Sequence, residues 1–390
     1  MSTYVDIHIL QSVPPSCLNR DDTGSPKSAV YGGVPRARVS SQSWKRAVRL
    51  DFRDHVDEEA MGRRTKRVVE ELAEALTDLA ERDPEVPEEV RERAASLAEA
   101  AFKAAGIKVT EPKRKKGESE DAPARAAESG YLLFLSAAQI RNVAERVVEI
   151  VRDEGVDAIA SHKKDLKAAL KQDNSLDVAL FGRMVADDTD LNVDAACQVA
   201  HALSTHTVTS EFDFFTAVDD AKSVEEGDAG AGMMGTVEFN SATLYRFATI
   251  NVDALCTNLG DRTSTVEAVR QFLESFVRSM PTGKINTFAN RTLPEVVVVS
   301  LRDDQPVSWV GAFERPVRTI DSGVVEPSVA ALVDTATGID DTYGHPAVHR
   351  WASALPQYRD RVATIADVAP LPTTVDSVID AVADRIPEEQ

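Results

Sequence analysis

The chain has 390 residues, 43% of them hydrophobic, and a formal net charge of −20. That is enough apolar material for one large domain or two to three smaller packed ones, and too acidic a balance for general affinity toward nucleic acid. No run approaches the ~20 apolar residues of a membrane span, the start MSTYVDIHIL lacks signal-peptide features, and the scattered Cys17, Cys197 and Cys256 exclude a disulfide framework, so the expected setting is the reduced cytoplasm without a membrane partner.

Residues 4–10, YVDIHIL, alternate and then run apolar, which predicts a strand. The stretch from Cys17 to Arg49 is a positive island, with Arg20, Lys27, Arg36, Arg38, Lys45, Arg46 and Arg49 against only Asp21 and Asp22. The acidic remainder does not cancel it, because charges farther apart than a Debye length of about 8 Å are largely screened. Ser40 or Ser41 is a favoured N-cap, and Gln42 to about Phe52 reads as a helix with Trp44, Ala47 and Val48 as its apolar side. Lys45 and Arg49 are four apart and share a face. A helix start offers unpaired N–H groups, so amides, hydroxyls and cations converge on a seat for phosphate. An ordinary capped surface helix with solvated charges fits the same residues. The Gly-rich turns Thr23-Gly24-Ser25-Pro26 and Tyr31-Gly32-Gly33 allow close backbone approach to a ligand.

Residues 57–106 have helical spacing and many Glu/Arg pairs, with a break at Asp83-Pro84. Residues 111–128 have no apolar periodicity and read as a loop, in which KRKK at 113–116 is a solvated run or a minor nucleic-acid contact. Helical patterns resume at 136–154 and 157–172, the second carrying Lys163, Lys164, Lys167 and Lys171 as a stripe that is either a solvated face or a track for phosphates. HALSTHTVT at 201–209 reads as a strand, and Phe212, Phe214 and Phe215 lead into a Gly-rich run that reads as a protruding loop or hairpin. A long strand at 236–252, a helix at 263–279 and a buried β-branched strand at 294–302 follow, and short helices are expected at 346–355 and 374–385. In order this is βαββαβ with two insertions, which predicts an α+β fold with the ferredoxin-like topology of an RNA-recognition motif.

His201 with His206, and His345 with His349, have spacings that suggest metal, but no Cys or carboxylate cluster completes either set. Asp21 and Asp22 could position a metal or a water for RNA cleavage, or simply cap local turns or pair with Arg20. There is no Walker loop, no G-x-S-x-G and no GxGxxG after a strand, so neither a catalytic constellation nor a cofactor is expected.

DIHILQSVPPSCLNRDDTGSPKSAVYGG (6–33) and RVSSQSWKRAVR (38–49) resemble the N-terminal region of the CasC-type backbone subunit of type I-E CRISPR Cascade. FGRM at 181–184, AHALSTHTV at 200–208, DFFTAVDD at 213–220 and GTVEF at 235–239 resemble further blocks of it in the same order, and the likeness weakens in 57–130 and in the C-terminal tail. The resemblance implies a palm with the RNA-recognition-motif-like fold (1–56, 193–207 and, with a C-terminal segment, 241–390), helical fingers (57–192) and an extended thumb loop or hairpin (208–240). About six copies would follow one another head to tail along the crRNA, beside the other Cascade subunits, and each thumb would kink the RNA of its neighbour. By matching position, Arg20, Lys27, Ser40, Gln42, Lys45 and Arg49 would hold RNA phosphates. Met184, Phe214 and Phe215 would contact bases, and Lys163, Lys164, Lys167 and Lys171 would meet target DNA. Where the family has Trp-Phe this chain has Phe214-Phe215, which keeps a stacking face and loses an indole donor. Related backbone subunits cleave RNA with an Asp in the corresponding loop, so the alternative the resemblance raises is a metal-dependent endoribonuclease using Asp21 or Asp22.

Overall fold

The first strand, β1 (Tyr4–Ser16), is buried along nearly its whole length, as a strand is only when both its faces are covered. The computed structural model describes residues 2–57, 60–111, 126–185, 188–217, 233–318 and 323–387. After β1 come β2 (Ser28–Tyr31), β3 (Val34–Val39), α1 (Ser41–His55), β4 (Gly62–Thr65), α2 (Val68–Arg82), α3 (Glu88–Glu92) and α4 (Ala94–Ala104). Next are β5 (Val109–Thr110), β6 (Glu128–Ser129), β7 (Leu133–Ser136), α5 (Ala137–Glu154), α6 (Lys163–Ala169), α7 (Leu176–Phe181), β8 (Cys197–Val199) and β9 (Ala202–Ser204). The chain continues through β10 (Glu211–Ala217), β11 (Met233–Asn251), α8 (Val252–Leu259), α9 (Arg262–Arg278), α10 (Ile285–Phe288) and β12 (Val296–Arg302). It ends with α11 (Val325–Tyr343), β13 (His349–Ala354), α12 (Arg359–Val362), β14 (Asp367–Val368) and α13 (Leu371–Ala383). Contacts divide it into two units, one of Met1–Asp54, Cys197–Asp253 and Thr265–Gln390, the other of His55–Ala196 and Ala254–Ser264.

The α+β class expected from the sequence holds, and the first unit is built on one large sheet of order β14-β13-β12-β1-β11-β9-β3-β2. β1 lies between β11 and β12, antiparallel to both, with Tyr4 opposite Asn251 on one side and Arg302 on the other. On one face Leu10, Tyr245, Phe247, Val296 and Val298 pack with Trp309, Phe313 and the α11 residues Val329, Leu332 and Val333. Trp44 of α1 belongs to a separate apolar cluster with Val13, Val39, Ala242, Leu244 and Met280. Successive strand residues point to opposite faces, so a sheet covered on both needs apolar residues at every position. The run VVVVSLR of β12 meets that demand and every residue of it is buried.

Two expectations in this unit change. HALSTHTVT is strand only over Ala202–Ser204, and the helix expected at 346–355 is instead β13, paired with β12 from Val296↔Ala354 to Leu301↔His349. Local preference over so short a segment is weak, and the open edge of a buried strand overrides it. The helix expected at 374–385 is present as α13.

In the second unit Val68, Leu72 and Leu76 of α2, Leu97, Ala101 and Phe102 of α4, and Val143, Val147 and Ile150 of α5 form a common core. Helix α5 starts with a capping box, Ser136 Oγ accepting from Gln139 N at 2.9 Å and Gln139 Oε1 accepting from Ser136 N at 3.0 Å. Gly62 of β4 lies against the Phe134 ring of β7, where a Cβ would come within 2.4 Å of it. The run at 113–116 falls outside the described residues. Among the described residues no helix is long and apolar enough to cross a membrane.

Asp6 of β1 is fully buried, with Oδ2 accepting from Val307 N at 2.8 Å. Burial pushes its carboxyl up to about 6, against Val307 and Arg302, which favour the charged form. An acid whose folded pKa is raised binds protons more tightly in the folded state, so its contribution is complete below about pH 4 and is lost as pH rises through 6. A shift of this size corresponds to about 3 kcal/mol. In urea unfolding the loss between pH 4 and pH 7 is therefore expected to shrink by about that amount in Asp6→Asn. An equal pH dependence in the variant would refute the assignment.

Candidate nucleic-acid interface

Two groups of residues in the first unit carry the chemistry, the loop 17–27 with the start of α1, and the hairpin β10–β11. Asn19 ties the first group together. Its carbonyl accepts from Lys27 N at 2.9 Å, and its side-chain Oδ1 accepts from Ser40 N at 2.9 Å, so the loop holding Arg20 and Lys27 is fastened to the head of α1. Between those anchors Asp21 organises a tight turn, its Oδ1 accepting from Thr23 N (2.9 Å), Thr23 Oγ1 (2.7 Å) and Ser25 N (3.0 Å). These bonds, Thr23 Oγ1 first, hold its carboxyl below the usual range. The carboxylate thus closes its own turn, and among the described residues no group of three or more His, Cys, Asp or Glu is arranged to hold a metal. Gly24 in this turn has φ +94°, which glycine adopts without strain.

Of the two expected caps the structure uses Ser40, whose Oγ accepts from Ser43 N at 3.3 Å. Its hydroxyl is buried in that role, while Gln42 two residues on is exposed. Trp44, Ala47, Val48 and Phe52 are the buried side of α1, which leaves Lys45 and Arg49 half-buried and Arg46 exposed. Lys45 lies close to β8, where its charge opposes the burial that pushes the Cys197 thiol upward.

The island is not uniform. Arg36 is buried and donates to four backbone carbonyls, those of Tyr31 (3.2 Å), Ser204 (3.0 Å), Phe313 (2.8 Å) and Glu314 (3.2 Å). It is an internal strut. Arg38 donates to Ser28 O at 3.1 Å and sits 3.1 Å from His201 Nδ1. Burial, then Arg38 and Lys27, push the His201 pKa down, so these three side chains are neighbours and His201 tends to neutrality. Lys27 and Arg38 also line a shallow cleft with Asn19, Ser16 and Asn240, where β11 parts from β1. Arg20, Lys27, Ser40, Gln42 and Lys45 are therefore gathered around one helix start.

In the hairpin, Phe212, Phe214 and Phe215 are 66%, 64% and 38% exposed. Alternation puts Phe214 on the face of Phe212, opposite Thr236 and Glu238, and Phe215 on the other face, over Gly235. A Cβ at Gly235 would meet the Phe215 ring at 2.6 Å, so glycine makes room for that ring. The two expected base contacts thus serve different surfaces. Phe212, which reading the sequence left out of the site, was detectable by its two-residue spacing from Phe214.

Met184 belongs to the second unit and is 87% exposed. Its neighbour Arg183 pairs with Val193 through both backbone groups at 2.9 Å and donates from its guanidinium to Leu191 O (2.7 Å) and Phe134 O (2.9 Å). Val185 N donates to Asn192 Oδ1 at 2.6 Å. The methionine is thus held out from a turn tied down on both sides.

The lysine stripe of this unit is broken in the middle. Lys163, Lys164 and Lys171 are exposed, but Lys167 donates to Asp188 at 3.0 Å and Asp190 at 2.8 Å, and only 18% of its side chain is exposed.

A family model described as "CT1975-like protein" matches residues 5–381. A solved chain of a "CRISPR RNA-guided surveillance complex, pre-nicking" is similar at 34% identity and a TM-score of 0.77, with 97% of this chain and 100% of that chain covered. A chain of a second "CRISPR RNA-guided surveillance complex" is similar at 28% identity and a TM-score of 0.61, with 97% and 99% covered. No curated protein matches.

The double ion pair sets Lys167 apart from the other lysines in stability. Lys167→Ala leaves two carboxylates facing one another and is expected to cost about 1–2 kcal/mol, against less than about 0.5 for Lys164→Ala on the exposed side. Denaturant unfolding measures both. Equal costs would show that the pair does not hold in solution.

Proposed function

The chain belongs to the CT1975-like family, and from that membership we propose that it is a structural, RNA-binding subunit of a CRISPR RNA-guided surveillance complex, of the type I-E backbone kind. The observation that carries this reading is the end-to-end likeness to a chain of such a complex, with 34% identity over 97% of this chain. The strand order β12-β1-β11-β9, antiparallel throughout, with α1 and α9 as the crossovers, supports a palm like an RNA-recognition motif in the first unit. The second unit would be the fingers and the β10–β11 hairpin the thumb. Copies of the chain would line up along one crRNA beside the other subunits.

The chemistry at the head of α1 suits that task. Arg20, Lys27, Lys45 and Arg49, with Ser40, Gln42 and the helix start, would engage phosphates, which position an RNA without reading it. Trp309 and α11 pack on one face of the sheet, so bases would not be read there, and any spacer sequence would be accepted. Phe214, with Phe212 on the same face, offers stacking worth ~1–3 kcal/mol per base and indifferent to base identity. Phe215 and Met184 would contact bases from other surfaces. Lys163, Lys164 and Lys171 would meet the phosphates of target duplex DNA, with Lys167 bracing their helix, and sequence would be left to base pairing.

Two measurements test the reading. Affinity of the full chain for mixed-sequence single-stranded RNA should fall steeply with salt, and Lys45→Ala with Arg49→Ala should flatten the log–log slope by about 0.7 per lost phosphate contact. An unchanged slope would show that these residues do not meet phosphate. RNAs of equal length and unrelated sequence should bind within a few-fold of each other, and a preference beyond about a hundredfold would match base readout instead.

A further inference from the structure

The segment between α9 and β12 is conformationally unusual. Lys284 (φ 47°, ψ 30°) and Ala289 (φ 46°, ψ 42°) both adopt the left-handed conformation and bracket the single turn Ile285–Phe288. Such residues cost of order 1 kcal/mol or more where glycine would cost little, and strain of this kind gathers at functional sites. The segment is pressed onto the start of the basic loop, since a Cβ at Gly283 would lie 2.3 Å from Leu18 O and 2.5 Å from Cys17 O. Phe288 meets Phe239 at the foot of the hairpin, with ring centroids 5.8 Å apart. The far end is pinned where Thr292 Oγ1 donates to Ser12 O at 2.7 Å and Thr292 O accepts from Gln11 Nε2 at 2.9 Å. The segment thus touches both the basic loop and the hairpin, and Arg291 on it is exposed.

Four charges surround the buried Cys17 thiol, Lys284 and Arg20 lowering its pKa while Asp21 and Glu238 join burial in raising it. Lys284 and Arg20 are therefore neighbours although 264 positions separate them in the sequence. A glycine at 284 would hold the same turn with less strain, so the fold gives no reason for a lysine.

We propose that Lys284, presented beside Arg20 by this strained turn, is a further phosphate-binding residue of the RNA groove, and that the segment 282–291 is part of the wall of that groove between the loop and the hairpin. The inference rests on the RNA-binding reading above. The ligand is one phosphodiester of a single-stranded RNA, held by two cations of different elements.

Lys284→Gly separates this role from a structural one, because the two predict opposite signs. The full chain and a mixed-sequence single-stranded RNA are used, with affinity measured across a salt series and stability by thermal unfolding. The expected result for Lys284→Gly is an unfolding midpoint equal to or above that of the parent, together with RNA binding weakened about fivefold and a log–log slope reduced by about 0.7. Lys284→Arg, which keeps the charge, should retain the parent slope. If Lys284→Gly keeps the parent affinity and slope while Lys45→Ala loses both, this inference is overturned and the RNA-binding reading stands. If the parent chain shows no salt-dependent RNA binding, that reading fails and the inference fails with it.

Discussion

The first unit depends on a buried arginine that has no carboxylate partner. Arg246 of β11 is 1% exposed, and its guanidinium lies 3.8 Å from the ring centre of Trp44 on α1 and 4.5 Å from that of Phe276 on α9. It donates to Gln11 Oε1 of β1 at 2.6 Å and to the carbonyl of Phe276. Burial lowers its pKa to about 9, the mark of a charge removed from water. Two aromatic faces and two acceptors offset that cost, since cation–π contacts strengthen when desolvated. One side chain thereby joins two strands to two helices. Gln11 passes the connection on, its Nε2 donating to the Thr292 carbonyl at 2.9 Å and so fastening the strained segment beyond α9. The direction in which α1 points, and with it the placing of Ser40, Lys45 and Arg49, follows from this cluster.

The second constraint is that the sheet has no face to spare. His8 of β1 stacks on Trp309 with centroids 3.6 Å apart and takes Tyr245 Oη as a partner at 2.9 Å. Burial, reinforced by Arg350 and Arg302, keeps His8 well below its ordinary pKa and therefore neutral. The C-terminal segment, hard to interpret in the sequence, supplies this cover through Trp309, Phe313 and α11. A sheet closed in this way can act only at its ends and edges, where the cations and exposed aromatics of this unit are found.

Much of the architecture was legible because its signals are local. The β-branched run of β12, the alternation of β11 and the apolar stripe of α1 each arise within one element. β13 was not, since its six residues take their strand form from pairing with β12 rather than from their own pattern. The candidate site was legible as charge but not as geometry. Arg36 belonged to the positive island by position, yet its acceptors at Ser204 and Phe313 lie 168 and 277 residues away, and nothing near it in sequence marks it as internal. Lys167 sat in the centre of a lysine stripe, yet Asp188 and Asp190 claim it from a separate segment. Spacing along a helix tells which residues share a side; it does not tell what that side packs against.

The same limit explains why net charge misleads here. An acidic chain can still bind a polyanion provided its cations are gathered and its nearest carboxylates are occupied. Both conditions hold at the head of α1. Asn19 fastens Arg20 and Lys27 to the cap of the helix that carries Lys45, and Asp21, the carboxylate within the loop, is engaged by the backbone and hydroxyl of Thr23 and by Ser25. A carboxylate spent on its own turn still repels a phosphate, but it also sharpens the turn that brings the cations together. The loop therefore trades a unit of charge for shape, and the cations held around it are what let that trade favour an anion.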